Sequence, residues 1–288
     1  MATLNGHRQT KGTETDKPIP TATAPHLDST STSLQNNHFL PLPIFVFTGR
    51  YFVRILSAFI LSAALFCICP DAALSKVFFY DDVALKSREI MLRAETRGTL
   101  FSKGGEVVEF IVDGRSIGKN LSGRDGFAVK GFIPARTGLY KINVKSGDDK
   151  DSGVLLALER RTRIVFIDVA GSLLAGSFGE MEKPGSGKAV TKIHKRFPIV
   201  YLQKGILSVE AIRAWLKKNN FPVAPVLPWG QGDVFREIKE RDLQIKAIVG
   251  GPEVIESAQM YKPLAFSFDS VEDAEVVENW KEIEKKLK

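Results

Sequence analysis

Few side chains in this 288-residue sequence sit where they could do chemistry, and the clearest is an aspartate. Residues 163–174 read RIVFIDVAGSLL, a short apolar run that ends in Asp168 and is followed by Gly171 and Ser172. Such a run suits a strand buried on both faces, with Asp168 at its carboxyl end, where open α/β sheets place their ligands. Other reactive types are scarce. Cys67 and Cys69 share one apolar segment, and no cysteine follows Pro70, so neither a disulfide nor a thiolate site is available downstream. Of the four histidines, His7, His26, His38 and His194, only the last lies in the part expected to fold, within the basic run KIHKR, where a solvated role fits better than a catalytic one. KPGSGKAVT imitates a phosphate-binding loop but fails at both ends, with Glu182 where the first glycine belongs and Ala189 where a hydroxyl should ligate magnesium.

The elements that must position Asp168 follow from pattern. Residues 160–288 alternate apolar runs with amphipathic stretches. Helices are expected over Gly185–Lys195, after Ser208, after Asp233, over Glu253–Met260 and from Val271 to the end. Strands are expected at FPIVYLQ, PVAPVLP, IKAIVGG and PLAFSF. That alternation predicts an α/β doubly wound, mainly parallel sheet. Residues 76–159 read instead as an all-β sandwich. Val108, Phe110 and Val112 alternate in one strand and Tyr140, Ile142 and Val144 in another, with Gly-Asp turns between. Asp81, Asp82, Asp148, Asp149 and Asp151 are oxygen donors that could hold a calcium ion or simply be solvated.

Upstream, residues 1–43 are rich in Thr, Ser, Pro and Asn and are expected to stay disordered. Residues 44–75 carry Arg50 and Arg54, then an uncharged run from Ile55 to Cys69, then small residues with a plausible cleavage site at Ala73, Leu74 and Ser75. This is the pattern of a secretory signal, or, with residues 51–69 uncleaved, of a membrane anchor. Translation starting within residues 46–54 would give the signal its usual position. Either way, arginines before the run predict export of the domains after residue 76, to a periplasmic or extracellular location. The formal net charge of +7 and pI of about 9.3 are modest for this length, and no basic run is interleaved with aromatics. A nucleic-acid partner is not expected.

D-V-A-G-S-L at residues 168–173 resembles the first motif of the haloacid dehalogenase (HAD) superfamily of phosphatases, D-x-D-G-T-L. The segments IVYLQ, KPG and IRAWLKKNNFPVAPVLP are similar to its lipin-like branch, while residues 84–158 resemble bacterial immunoglobulin-like domains. The resemblance implies a HAD-like (Rossmannoid) domain after the immunoglobulin-like one. It implies Asp168 as the nucleophile toward a phosphoryl group, Gly171, Ser172 and Gln203 as substrate-binding groups, Lys239 (or Lys246) as the neutralising cation, and magnesium as cofactor. The sequence departs from that pattern where the chemistry needs it most. Ala170 replaces the general acid, Gln203 replaces a threonine, and Gly251 and Ile255 replace the magnesium-ligating acids, leaving Glu253, Glu256 and Asp269 as the nearest substitutes. The expectation is therefore an exported, non-catalytic binding module with no metal, whose partner is a protein or an envelope ligand. The alternative is a magnesium-dependent phosphatase acting on phosphatidate or another phosphoester through Asp168.

Overall fold

The computed structural model describes residues 76–98, 101–175 and 181–288. The expected disordered tail and the signal or anchor segment lie outside the described residues. Among the described residues no helix is long and apolar enough to cross a membrane.

Three strands, β1 (Lys76–Phe79), β3 (Ile90–Arg97) and β6 (Phe127–Phe132), form one antiparallel sheet in the order β1-β3-β6. Five more, β2 (Asp82–Leu85), β4 (Val107–Val112), β5 (Arg115–Leu121), β7 (Gly138–Ser146) and β8 (Asp149–Leu158), form a second in the order β2-β8-β7-β4-β5. Only β2 and β8 run parallel in it. Alternation decides which side chains point inward: Val108, Phe110, Val112, Tyr140, Ile142 and Val144 fill a single core with Leu92 and Ala94 of β3 and Ala128 of β6.

A six-stranded parallel sheet follows, made of β9 (Arg163–Asp168), β12 (Ile199–Gln203), β13 (Val226–Pro228), β14 (Gln244–Val249), β15 (Leu264–Ser267) and β16 (Glu275–Val276). Their order is β13-β12-β9-β14-β15-β16, so β9 is central. The tiny hairpin β10 (Leu174–Ala175) and β11 (Met181–Glu182) stands beside it. Helices α1 (Ser186–His194), α2 (Val209–Lys218) and α5 (Trp280–Lys286) cover one face through Val190, Ile193, Ile212, Leu216, Trp280 and Ile283. Helices α3 (Asp233–Glu240) and α4 (Pro252–Glu256) cover the other through Phe235, Ile238, Val254 and Ile255. Ser208 caps α2 as its residue type requires, its Oγ accepting from the Ala211 N–H at 3.2 Å.

The expected fold class, an immunoglobulin-like sandwich followed by a separate doubly wound HAD-like domain, is corrected. The described residues are 41% strand and 24% helix, distributed over four sheets. They belong to one compact unit. The reason is visible in β2 and β8. Ala84, Leu155 and Ala157 face the first core, while Val83, Leu85, Leu156 and Leu158 face the core shared with Ile164, Phe166, Val200 and Leu202. Helix also falls short of expectation. The stretch from Val271 spends Glu275 and Val276 on β16 and becomes helical only where the Asn279 side chain accepts from the N–H groups of Lys281 and Glu282. Gly232, with φ of 98°, precedes α3, so Asp233 begins the helix rather than capping it.

Two aspartates at the β1–β2 corner lock this arrangement. Asp81 is buried, and each of its oxygens takes two donors. Oδ1 accepts from Val154 N–H at 2.7 Å and Arg213 Nη2 at 2.8 Å, and Oδ2 from Val226 N–H at 2.8 Å and Arg213 Nε at 3.2 Å. Burial pushes its carboxyl upward, but four donors leave no lone pair for a proton, and the geometry is that of the ionised form. Arg213 Nη2 also donates to the Phe79 carbonyl at 2.8 Å. On the opposite helical layer Arg241 donates to the Asp82 carboxylate and the Val83 carbonyl. The acidic residues weighed as calcium ligands are thus partly spent on arginines, Asp151 included, at 3.5 Å from Arg213.

Removing one partner of a buried ion pair costs about 3–5 kcal/mol, because the other is left charged and unpaired. Asp81→Ala is expected to lower the urea-unfolding free energy by that order, with both halves melting in one transition. A loss below about 1 kcal/mol would show that the corner does not hold the halves together.

Candidate functional site

Asp168 ends β9 opposite Leu202 of β12 and is followed by a single π-turn, Val169–Leu173, that carries the chain away from the sheet. The turn is fixed from two sides. Ser172 Oγ donates to the Asp168 carbonyl at 2.5 Å, and Trp280 Nε1 donates to the Ser172 carbonyl at 3.0 Å.

The carboxylate is enclosed, with Asp168 only 1% exposed. Its Oδ2 accepts from the Gly251 N–H at 3.3 Å, while Oδ1 has no hydrogen-bond partner among the described residues. Glycine is required around it for steric reasons. A Cβ on Gly171 would lie 2.4 Å from Oδ2 and 2.7 Å from the Gly251 nitrogen, and one on Gly250 would lie 2.9 Å from the Asp168 Cβ. Burial pushes the Asp168 carboxyl above its ordinary value. The N–H groups of Gly171 and Gly251, the charge of Lys204 and the Ala170 N–H pull the other way.

Two lysines approach it. Lys204 follows β12 directly and pairs with Glu253 at 2.5 Å. Lys183 follows β11, its Nζ lying 4.0 Å from the centre of the Phe268 ring. Burial lowers its pKa, while Asp269 and Asp168 hold it up. Sequence reasoning missed both lysines. The available signal is position, since Lys204 is the first residue past the carboxyl end of the strand next to β9.

The residues named from sequence are not all brought together. Gly171 touches the carboxylate, and Ser172 binds the backbone of Asp168 rather than facing outward. Gln203 donates to the carbonyls of Gly205 at 3.1 Å and Leu207 at 2.9 Å, so its amide orders its own loop. Lys239 sits near the carboxyl end of α3. There Asp242, three residues on, bonds through its carbonyl to the Arg161 N–H and through its carboxylate to Arg160, ahead of the start of β9. The five steps of about 3.3 Å from Arg163 to Asp168 put roughly 16 Å of strand between the end of β9 beside which α3 finishes and the end that carries Asp168. Lys246 lies within β14, its ammonium 5.9 Å from the Phe197 ring. Glu253 is committed to Lys204. His194 is half-buried, and burial lowers its pKa, so the solvated role expected of it does not hold.

A magnesium ion does not fit this donor set. The position next to Oδ2 is filled by the Gly251 N–H, a hydrogen-bond donor, where a cation needs oxygen. Among the described residues no group of three or more His, Cys, Asp or Glu side chains converges.

No family model matches the chain, and no curated protein matches it. Solved structures are similar to parts of it at low TM-score. One is the fibronectin(III)-like modules of CbhA from Clostridium thermocellum (21% identity, 30% of this chain and 99% of that one, TM-score 0.22). Another is the Lin-41 filamin domain (17% identity, 31% and 96%, TM-score 0.23). A third is an FMN-binding β-glucuronidase (13% identity, 31% of this chain, TM-score 0.23), of which this chain spans only 12%.

The buried carboxyl makes stability depend on pH. In the unfolded chain it ionises at its ordinary value, and in the fold at a higher one. As pH rises between the two, the unfolded state sheds its proton first and the fold loses stability. Asp168→Asn, neutral and nearly isosteric, is expected to melt higher than the wild type at pH 7, with the gap closing below the ordinary carboxylate range. A lower melting temperature for the variant at pH 7 would show that the ionised carboxylate stabilises the fold.

Proposed function

We propose that the chain is an exported binding protein that does not hydrolyse phosphoesters, with its resemblance to haloacid dehalogenase motifs surviving as sequence around Asp168. The observation that carries this reading is the state of that side chain. A nucleophile must reach its substrate, and Asp168 is closed over by the backbone of Gly171, Gly250 and Gly251. Its neighbours are committed internally. The Ser172 hydroxyl bonds to the backbone of the turn and the Gln203 amide to its loop. Ala170, two residues after Asp168, has no proton to give. The exported location rests on the charge and hydropathy of residues 44–75, and the partner is a protein or another component of that compartment.

The test is magnesium-dependent hydrolysis of p-nitrophenyl phosphate and of phosphatidate by the full chain, with Asp168→Asn alongside. Equal rates for wild type and variant are expected, at the level of buffer with magnesium. Turnover that the variant loses would overturn the reading and establish Asp168 as a nucleophile.

A further inference from the structure

We propose that the cleft between the carboxyl end of α2 and strands β7 and β8 binds a small organic anion with an apolar body. The cleft has a volume of about 730 Å³, within the range of small-molecule sites. Leu139 and Val154 supply apolar surface on one side, Pro222 and Val223 on the other, and Val223 is 65% exposed.

Its charges are not balanced. Both acids in its lining are already spent, Asp81 on Arg213 and Asp113 on Arg136 at 2.7 Å and on the Lys141 N–H at 2.8 Å. Arg213 is spent in turn on Asp81 and on the carbonyls of Phe79 and Ser152. Lys141 of β7 and Lys217 of α2 remain. Both are exposed and line the cleft from opposite walls, and neither has an ion-pair partner among the described residues. Two lysines without ion-pair partners beside apolar lining suit a carboxylate or phosphoryl head carrying a hydrocarbon or ring. A neutral or cationic molecule of the same shape would gain nothing from the two lysines. Because each half of the fold contributes one wall and one lysine, the occupant bridges them. No residue around Asp168 lines this cleft, so the inference stands apart from the reading of that site.

Calorimetric titration of the full chain with octanoate, octyl phosphate and octanol tests it. Saturable binding of at least one anion is expected, with octanol at least tenfold weaker. The ratio of octanoate to octyl phosphate tells whether the natural head is a carboxylate or a phosphoester. The double variant Lys141→Gln, Lys217→Gln should lose about tenfold or more, since it removes both charges that would meet the anionic head. Val223→Asp should lose a similar factor, and Lys218→Gln, outside the lining, should lose nothing. All four residues are exposed, so the variants are expected to melt with the wild type. Octanol binding as tightly as the anions, or an unchanged affinity in the double lysine variant, would overturn the proposal.

Discussion

The carboxylate of Asp81 is the constraint on which the rest of the molecule depends. It sits where four segments meet: the β1–β2 corner that carries it, β8 through Val154, α2 through Arg213, and β13 through Val226. A charge taken out of water is tolerated only with its lone pairs filled, and here all of them are. Gly153 is part of the same solution, because a Cβ there would stand 2.3 Å from Asp81 Oδ1. With Arg241 gripping the next residue from the other helical layer, two consecutive aspartates hold the antiparallel strands to both sides of the parallel sheet.

Asp168 is the opposite case. Its charge is buried too, but one oxygen has no donor among the described residues, and Lys204 and Lys183 bear on it only through charge. The two sites show how the same residue type ends in different states. At Asp81 the surroundings supply donors in number and select the carboxylate. At Asp168 they supply mainly glycine backbone and favour the neutral acid.

Much of the local structure was legible in the sequence. Period-two alternation marked Val108, Phe110, Val112, Tyr140, Ile142 and Val144, and Ser208 marked the start of α2. The apolar run into Asp168 marked the end of β9. These signals are local, carried by neighbours one to four residues apart. The partners of Asp81 and Asp82 lie 132 and 159 residues away, and no local pattern announces an arginine at that range. Lys239 failed for a related reason. Sequence placed it on the helix before β14 but could not say toward which end of the sheet, whereas Lys204 was placed by its strand. Within the double glycine, read as the loss of a metal-binding motif, Gly250 has a positive role, because with Gly171 it leaves room for the chain to close on Asp168.

The two-faced strands β2 and β8 have a consequence for how such a protein can change. Odd and even residues of β8 answer to different cores, so a one-residue insertion there would exchange their occupants and disrupt both at once. A cut near residue 160 would not separate two self-sufficient parts. It would lay open an apolar layer that Val83, Leu85, Leu156 and Leu158 now cover, and leave the parallel sheet to find another lid. The antiparallel half thus serves the parallel one as a wall of its core rather than as an appendage on a linker.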